Sequence, residues 1–288
     1  MGIGLPFHSI FNTKGANKHM NILSKLNEIT INNNDRIADT DRKYCENQFG
    51  LYAAAREALQ QALDIIKPVY DKEKNSAKNT NSLYGSYLDD YDDIKYLDKR
   101  LEKIKGQFVS KIVNHFSRQY NVSLDTKVIN EKYDLNLTHN DIIGEIFEQL
   151  DGFSFEEKAV HELIQATKNT IYNFDKKVII KKASLSITDY VWWDSWSWSG
   201  MRISWDSKLE TFFQALSHFE NGSVETLHSL KRMFEHLKEG SNKYDIFSKY
   251  EFDYKKIKSI KVFKNRKITV EFKDHALAQE FANTYLKK

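Results

Sequence analysis

The sequence predicts an α+β protein, in which a long-helix N-terminal part is followed by a small antiparallel sheet packed with helices. The scarcity of helix-breaking residues supports this class, because only 2 prolines and 11 glycines occur in 288 residues. The spacing of apolar residues is the second observation: it is three or four positions before Phe174, and it changes to an extended pattern after it. We therefore expect a helical domain over residues 1–150 and an α+β domain over residues 151–288.

The N-terminal domain is predicted to contain two long amphipathic helices. The first begins near Asp39 or Thr40 and is expected to end at Pro68, because proline lacks an N–H group and clashes with the preceding turn. A polar linker is expected over residues 71–82, and the second helix carries an apolar stripe from Leu88 to Phe116. The two helices would form an antiparallel hairpin or a coiled-coil arm. A stripe of this length fits an internal bundle and an oligomerisation arm about equally well.

The C-terminal domain is predicted from helices, extended segments and a final hairpin. Ser154 and Glu157 have the spacing of a capping box at the start of one helix. Extended structure around a turn at Gly200 is expected in the middle of this domain, and a strand hairpin around Asn265-Arg266 near its end. The predicted ranges are 141–150, 154–171, 206–219, 223–238 and 274–286 for helices, and 178–187, 193–205, 258–263 and 267–272 for extended segments.

Catalytic and metal-binding motifs are incomplete in this sequence. It contains no glycine-rich phosphate loop of the common types. His161-Glu162 begins the zinc motif His-Glu-x-x-His, but Gln165 stands where the second histidine is needed. The single cysteine, Cys45, lies in an apolar stripe, where a small core residue is expected rather than a nucleophile. We therefore expect a protein that is not an enzyme and uses no cofactor and no metal.

Charge and hydropathy narrow the classes of function further. The formal net charge is +3, which is less basic than is usual for general DNA-binding proteins and far from the acidity of a DNA mimic. No stretch approaches the roughly 20 apolar residues of a membrane span, and the N-terminus lacks the pattern of a signal peptide. These observations predict a cytoplasmic protein without membrane contact.

The tryptophans form the most unusual cluster in the sequence. If the segment is extended, Trp196 and Trp198 lie on one face and the serines between them on the other. Three interpretations remain open: the rings fill the core of the small sheet, anchor a protein interface, or stack on bases or sugars. The candidate partner-binding residues are Trp192, Trp193, Trp196, Trp198 and Trp205.

A basic segment follows near the C-terminus, with no acidic residue between its first and last cation. Its alternation with apolar residues places many of the cations on the solvent side of a strand, where lysines commonly prevent edge-to-edge aggregation. The same cations would also suit phosphates or an acidic partner. They are Lys255, Lys256, Lys258, Lys261, Lys264, Arg266 and Lys267.

Four short stretches resemble a bacterial and phage domain family of unknown function that is found on mobile elements. In that family the hairpin reads Phe-Lys-Asn-Gly-Asn, whereas Arg266 and Lys267 stand at its last two positions here. The resemblance covers residues 40–288 in organisation and is specific only over the C-terminal half. The stretches are Lys168–Phe174 leading into Lys177–Ile180, Leu209–Leu216 before Asn221-Gly222, Val262–Asn265, and Ile268–Lys273.

This resemblance implies a mobile-element context and no known chemistry. In size and organisation the chain is also similar to a phage inhibitor of the Gabija defence system. We therefore expect a phage or prophage protein that binds and inhibits a bacterial anti-phage defence complex, with homo-oligomers formed through its long helices. The alternative is a nucleic-acid-binding accessory protein of a mobile element, which would use the basic strand and the Trp-rich segment.

Overall fold

The computed structural model describes residues 36–80, 87–88, 90–197, 200–204 and 207–288. The chain divides into two compact units. The first comprises the described residues up to Phe108 together with Tyr133–Phe147, and the second comprises Val109–Lys132 and Glu148–Lys288. The division into domains at residue 150 remains a prediction about which segments fold independently.

Long helices precede short strands, and the predicted α+β class is confirmed. The helices are α1 (Asp39–Thr80), α2 (Tyr96–Tyr120), α3 (Thr126–Lys132), α4 (His139–Gln149), α5 (Phe155–Thr170), α6 (Phe174–Lys177), α7 (Ser207–Asn221), α8 (His228–Glu239) and α9 (His275–Phe281), with π-helical segments π1 (Asp90–Lys95) and π2 (Ala282–Leu286). The strands are β1 (Val178–Lys181), β2 (Ser184–Ile187), β3 (Trp193–Ser197), β4 (Gly200–Ile203), β5 (Tyr250–Glu251), β6 (Ile257–Val262) and β7 (Ile268–Phe272).

In the first unit, α1 packs against π1 and the beginning of α2 as an antiparallel hairpin. The Tyr52 ring stacks on the Phe108 ring with centroids 4.5 Å apart. Further along α1, Leu63 belongs to a buried cluster with Ile94 and Leu101. Later residues of α1 therefore meet earlier residues of the second helix, and this order is the one predicted for a hairpin.

The predicted end of the first helix at Pro68 is wrong, because α1 continues through this proline to Thr80. Proline removes the hydrogen bond to the carbonyl four residues before it and costs about 3 kcal/mol relative to alanine. A helix of 42 residues retains its backbone hydrogen bonds on both sides of that position. The linker predicted over residues 71–82 is likewise helical up to Thr80, and residues 81 and 82 lie outside the described residues.

The second unit is built around a five-stranded antiparallel sheet with the strand order β1-β2-β7-β6-β5. β7 is buried at Ile268, Val270 and Phe272, and the two residues between them are only partly buried. The buried side chains pack with α7, whose Phe212 and Phe219 belong to the same core. One face of the sheet is thus covered by helices, and the other is polar, as is typical of antiparallel sheets.

Local sequence signals are reproduced at the helix ends. The Ser154 hydroxyl accepts a hydrogen bond from the backbone N–H of Glu157, and the Glu157 carboxylate accepts one from the backbone N–H of Ser154. This is the predicted capping box. None of the described helices is both long enough and apolar enough to cross a bilayer.

Candidate functional site

The Trp-rich segment and the basic segment meet in the second unit. The turn between β6 and β7 lies against the chain that leads into β3. The backbone N–H groups of Tyr190 and Val191 both donate to the carbonyl oxygen of Arg266, at 2.8 and 3.0 Å. The indole N–H of Trp193 donates to the carbonyl oxygen of Phe263 at 3.1 Å. These three hydrogen bonds fix the position of the basic turn relative to the first tryptophans.

Trp192 and Trp193 have different environments although they are adjacent. Trp193 is half-buried, packs against the core of the second unit and meets the Phe247 ring edge-on at 5.1 Å. Trp192 is 45% exposed. An indole that is exposed to this extent leaves apolar area uncovered, which is typical of interface anchors. Trp193 is therefore mainly a structural residue, and Trp192 is available to a partner.

Cations surround these aromatic rings. The Arg266 guanidinium lies 4.2 Å from the centroid of the Trp192 ring. Lys267 and Lys261 lie 4.1 and 5.4 Å from the centroid of the Phe263 ring. At these distances a cation is attracted to the face of a ring and its position is restricted. We call the group formed by Trp192, Phe247, Phe263, Lys261, Lys264, Arg266 and Lys267 the cation–aromatic surface; Lys264 joins it through Phe247, at 5.5 Å from the ring centroid.

The basic segment is divided into two parts by its acidic neighbours. Lys258 pairs with Glu271 at 2.9 Å, and the ammonium group of Lys256 donates to the backbone oxygen of Phe219 at 2.6 Å. The backbone N–H of Lys255 is bound by the carboxylate of Glu220 at 2.6 Å. In contrast, the four cations of the cation–aromatic surface form no ion pair with any carboxylate among the described residues. The positive charge of that surface is therefore available to an anionic partner.

The backbone of Arg266 is in the left-handed region, with φ at 67°. A side chain with a Cβ atom costs about 1–2 kcal/mol in this region, and glycine avoids that cost. Arginine is therefore present at an unfavourable backbone position, where its side chain covers one face of Trp192. Strain of this kind is typical of functional positions.

Two depressions border the cation–aromatic surface. A shallow cleft of about 730 Å³ contains Phe247 and Lys264 in its wall, together with residues 241–246. A smaller pocket of about 110 Å³ lies beside Trp192 and is also lined by Tyr172 and Lys208. Tyr172 is 77% exposed, so it adds a second accessible ring next to Trp192. A partner side chain that enters either depression would contact both rings and cations.

The other tryptophans are only partly described. The backbone of Trp196 lies on β3, and Trp198 and Trp205 lie outside the described residues. A bulge between Asp194 and Ser197 interrupts the pairing of β3 with β4, so simple alternation does not hold throughout this hairpin. Gly200 has φ at 74°, as expected for a turn residue, and a Cβ atom there would clash with the Ser241 side chain.

The structure also places the residues of the incomplete catalytic motifs. The Glu162 carboxylate accepts a hydrogen bond from the backbone N–H of Ser123 at 2.8 Å, and the His161 ring stacks on Phe153. Burial, and then the negative charge of Asp41, raise the pKa of the Cys45 thiol to about 12. The thiol is therefore protonated at neutral pH. No group of three or more His, Cys, Asp or Glu side chains within the described ranges is arranged to hold a metal ion.

Sequence reasoning missed the aromatic members of the surface that lie outside the Trp-rich segment. Phe247 belongs to an irregular loop, and Phe263 was assigned to a strand as an apolar residue. Their only signal is that a lysine follows or precedes them closely, which is too common to identify a site.

Comparisons with protein-family models, with curated proteins and with solved structures found no match to this chain. The resemblance of the four short stretches to a mobile-element family remains an expectation from the sequence.

Proposed function

We propose that this chain is a non-catalytic phage or prophage protein that binds and inhibits a bacterial anti-phage defence complex in the host cytoplasm. The observation that carries the proposal is the cation–aromatic surface, where Trp192 is exposed and four cations form no ion pair with a carboxylate of the described residues. Aromatic and arginine side chains dominate the binding energy of protein interfaces. The mobile-element context comes from the four stretches quoted from the sequence.

The geometry of Arg266 favours an acidic protein surface as the partner. Its guanidinium already covers one face of the Trp192 ring, so a base cannot stack on that face. The N–H groups of a guanidinium lie in its plane and suit a carboxylate, which they bind through two parallel hydrogen bonds. The indole beside it would be buried by the same contact. An acidic patch with an apolar centre is therefore the complementary surface.

Arg266→Gly tests this surface directly, because it removes the arginine side chain with little expected change in stability. The substitution relieves a backbone strain of about 1 kcal/mol and removes a cation–π contact of about 0.5–1 kcal/mol, so the net change in stability is small. For an interface hot spot the complex weakens by about 2 kcal/mol, which is roughly 30-fold in Kd. Lys181→Glu is the control, because Lys181 is an exposed cation on β1, outside the surface.

The experiment measures phage plaques on bacteria that each carry one defence system. We expect the wild type and Lys181→Glu to restore plaques on at least one strain, and Arg266→Gly to lose this effect while remaining folded. Purification of the tagged wild type from that strain, after nuclease treatment, should recover the defence proteins. Failure of the wild type to protect phage against every tested system would refute the function. Full activity of Arg266→Gly would refute the surface.

Binding of single-stranded nucleic acid is the second candidate. The specific observation in its favour is that Lys261, Lys264 and Lys267 lie near an accessible indole and pair with no acidic side chain in the part of the chain that the structure describes. With Arg266 they allow up to four phosphate contacts, which predicts a slope of about −3 for the logarithm of affinity against the logarithm of salt concentration. Fluorescence anisotropy of a labelled oligonucleotide measures this slope. A slope near zero, or the absence of binding, excludes this candidate.

Self-association through the long helices is part of the proposed function. An oligomer would present several copies of the cation–aromatic surface to one defence complex, and linked binding events strengthen one another without any new contact.

A further inference from the structure

The polar face of the five-stranded sheet is lined by hydroxyl groups and lysines. Residues that are register partners point to the same side of a sheet, so each row across the strands shares one face. The hydroxyl oxygens of Ser186 and Thr269 lie 2.9 Å apart in the middle of this face, in agreement with the register. One row consists of Ile179, Ser186, Thr269 and Lys261, and the next consists of Lys181, Ser184, Glu271 and Ser259. We call these two rows and their neighbours on the same side the open sheet face.

Side chains across the open sheet face reach solvent. Ile179 is 44% exposed at its edge, and Ser186 and Thr269 are partly exposed at its centre. The residues between them along the strands point to the other side of the sheet, where Leu185 and Val270 are fully buried. A partner can therefore approach the hydroxyl groups of this face directly.

Three lysines of the open sheet face form no ion pair within the part of the chain that the structure describes. Lys181 and Lys261 belong to the two rows. Lys267 continues the face, because its carbonyl oxygen accepts a hydrogen bond from the backbone N–H of Phe263 at 2.9 Å and so extends the ladder between β6 and β7. The three ammonium groups are available to anions.

The acidic residues of this face are already neutralised. The Glu271 carboxylate pairs with Lys249 at 2.8 Å and with Lys258 at 2.9 Å, and these two ammonium groups lower its pKa to about 2. Glu251, the register partner of Ser259, also lies near Lys249. Five lysines and two glutamates leave three net positive charges here, which is as much as the formal net charge of the whole chain. The weak positive charge of the chain is thus concentrated on one face, as is typical of nucleic-acid-binding surfaces.

The spacing of the three unpaired lysines suits both strands of a duplex. Lys261 and Lys267 lie on neighbouring segments of the sheet, and the usual strand and residue spacings place their Cα atoms about 8 Å apart. Lys181 lies three strands away from Lys261, which places these Cα atoms about 15 Å apart. The major groove of DNA is about 12 Å wide, and lysine side chains are flexible. Lys181 can therefore contact the phosphates at one edge of the groove while the other two contact the opposite edge.

The other side chains of the face favour phosphates over bases. One hydroxyl of the Ser186–Thr269 pair donates to the other, and the accepting hydroxyl keeps its own proton for a phosphate oxygen. The ammonium groups of Lys261 and Lys267 lie 5.4 and 4.1 Å from the centroid of the Phe263 ring, where a base would have to stack. The two rows contain no Arg, Asn or Gln, which bind base edges through paired hydrogen bonds.

We propose that the open sheet face binds the phosphate backbone of duplex DNA independently of sequence. The inference goes beyond the proposed function and does not depend on it, because neither Trp192 nor a defence protein takes part. It also differs from the binding of single-stranded nucleic acid, because Lys181, Ser186 and Thr269 lie outside the cation–aromatic surface.

Fluorescence anisotropy of a labelled DNA duplex, titrated with the full chain, tests the inference. We expect a Kd on the order of 10⁻⁵ M at about 50 mM salt. Three phosphate contacts predict a slope of about −3 for the logarithm of affinity against the logarithm of salt concentration. A single strand of the same sequence should bind more weakly, because its charge density is lower. Absence of duplex binding, or equal or tighter binding of the single strand, would overturn the inference.

Two charge-reversal variants locate the binding site. Lys181→Glu should weaken duplex binding by about ten-fold or more, because it removes a phosphate contact and places a repelling charge on the face. Lys231→Glu makes the same change in charge on the exposed side of α8, whose apolar residues pack in the core behind the sheet. It should weaken binding by less than about three-fold. Both variants should keep the circular dichroism of the wild type. Equal weakening by the two variants would show that the open sheet face is not the site.

Assays of phage protection separate this inference from the proposed function. Lys181→Glu should protect phage like the wild type although it binds duplex DNA poorly. Arg266→Gly should bind the duplex within about three-fold of the wild type although it no longer protects phage. If the wild type binds the duplex as described and protects no phage, the proposed function fails and the inference stands. If it protects phage and binds no duplex, the inference alone is overturned.

Discussion

Glu220, at the end of α7, holds the beginning of β6 through its carboxylate, and its removal should destabilise the second unit measurably. One carboxylate oxygen accepts a hydrogen bond from the backbone N–H of Lys255 at 2.6 Å. The other accepts bonds from the backbone N–H groups of Lys256 and Ile257 at 2.9 and 3.1 Å. Three donors that precede or begin a buried strand thus depend on one side chain. Glu220→Ala leaves all three without this acceptor.

The expected decrease in the free energy of unfolding follows from these three hydrogen bonds. A hydrogen bond to a charged group contributes about 1.5–3 kcal/mol, and partial exposure reduces this because water replaces some of the lost contacts. We take about 1 kcal/mol for each bond, which gives about 3 kcal/mol in total. For a unit of this size the melting temperature should fall by roughly 6–12 °C.

Scanning calorimetry and urea unfolding measure this effect. Glu220→Gln keeps one acceptor oxygen and loses the charge, so we expect about half of the loss. Glu235→Ala removes an exposed carboxylate on α8 and should change stability by less than about 0.5 kcal/mol. If Glu220→Ala were as stable as Glu235→Ala, the three hydrogen bonds would not stabilise the fold and the reasoning would be refuted.

Three further predictions concern single residues. Pro68→Ala should stabilise the first unit by about 1–3 kcal/mol in urea unfolding, because it restores a backbone hydrogen bond within α1; an unchanged midpoint would contradict this. Burial, and then the nearby Lys256, lower the pKa of His218, whose ring nitrogen lies 2.6 Å from the Tyr285 hydroxyl. Because the pKa of His218 is lower in the folded than in the unfolded chain, the unfolded chain binds a proton there at a higher pH than the folded chain does. The free energy of unfolding should therefore fall as the pH drops below about 6.5. Melting curves of the wild type and His218→Asn test this, and equal pH dependence in both would speak against it. Cys45 should resist alkylation by iodoacetamide at pH 8 until the protein is unfolded, and rapid labelling of the folded chain would show that its burial is wrong.

Local signals in the sequence predicted the elements that depend on neighbouring residues. The capping box at Ser154 and the turn at Asn265-Arg266 both involve residues that lie within a few positions of one another. The local cost of Pro68 predicted a helix end that the structure does not have, because α1 continues to Thr80. The hydrogen bonds of a 42-residue helix outweigh one missing bond, and no local pattern shows that balance.

The candidate site was predictable as two separate segments and not as one surface. The sequence predicted the tryptophans and the cations as candidate binding residues. It did not predict the contact between Arg266 and Trp192, because these residues are far apart along the chain. The alternation of apolar and basic residues predicted that the cations lie on one face of a strand, but it did not show which of them form an ion pair with a carboxylate. Lys258 reaches Glu271 across the β6–β7 pair, whereas Lys267 meets a phenylalanine ring. That difference depends on strand register, which residue types alone do not determine.

The position of β7 between β2 and β6 determines when the second unit can assemble during protein synthesis. The β1–β2 hairpin leaves the ribosome first, and its inner residues Leu185 and Ile187 then have no central strand beside them. Helices α7 and α8 follow before either β6 or β7 exists. The growing chain must therefore carry an unpaired strand edge and an uncovered apolar surface until translation reaches the C-terminal hairpin, and chaperones have this interval in which to bind it.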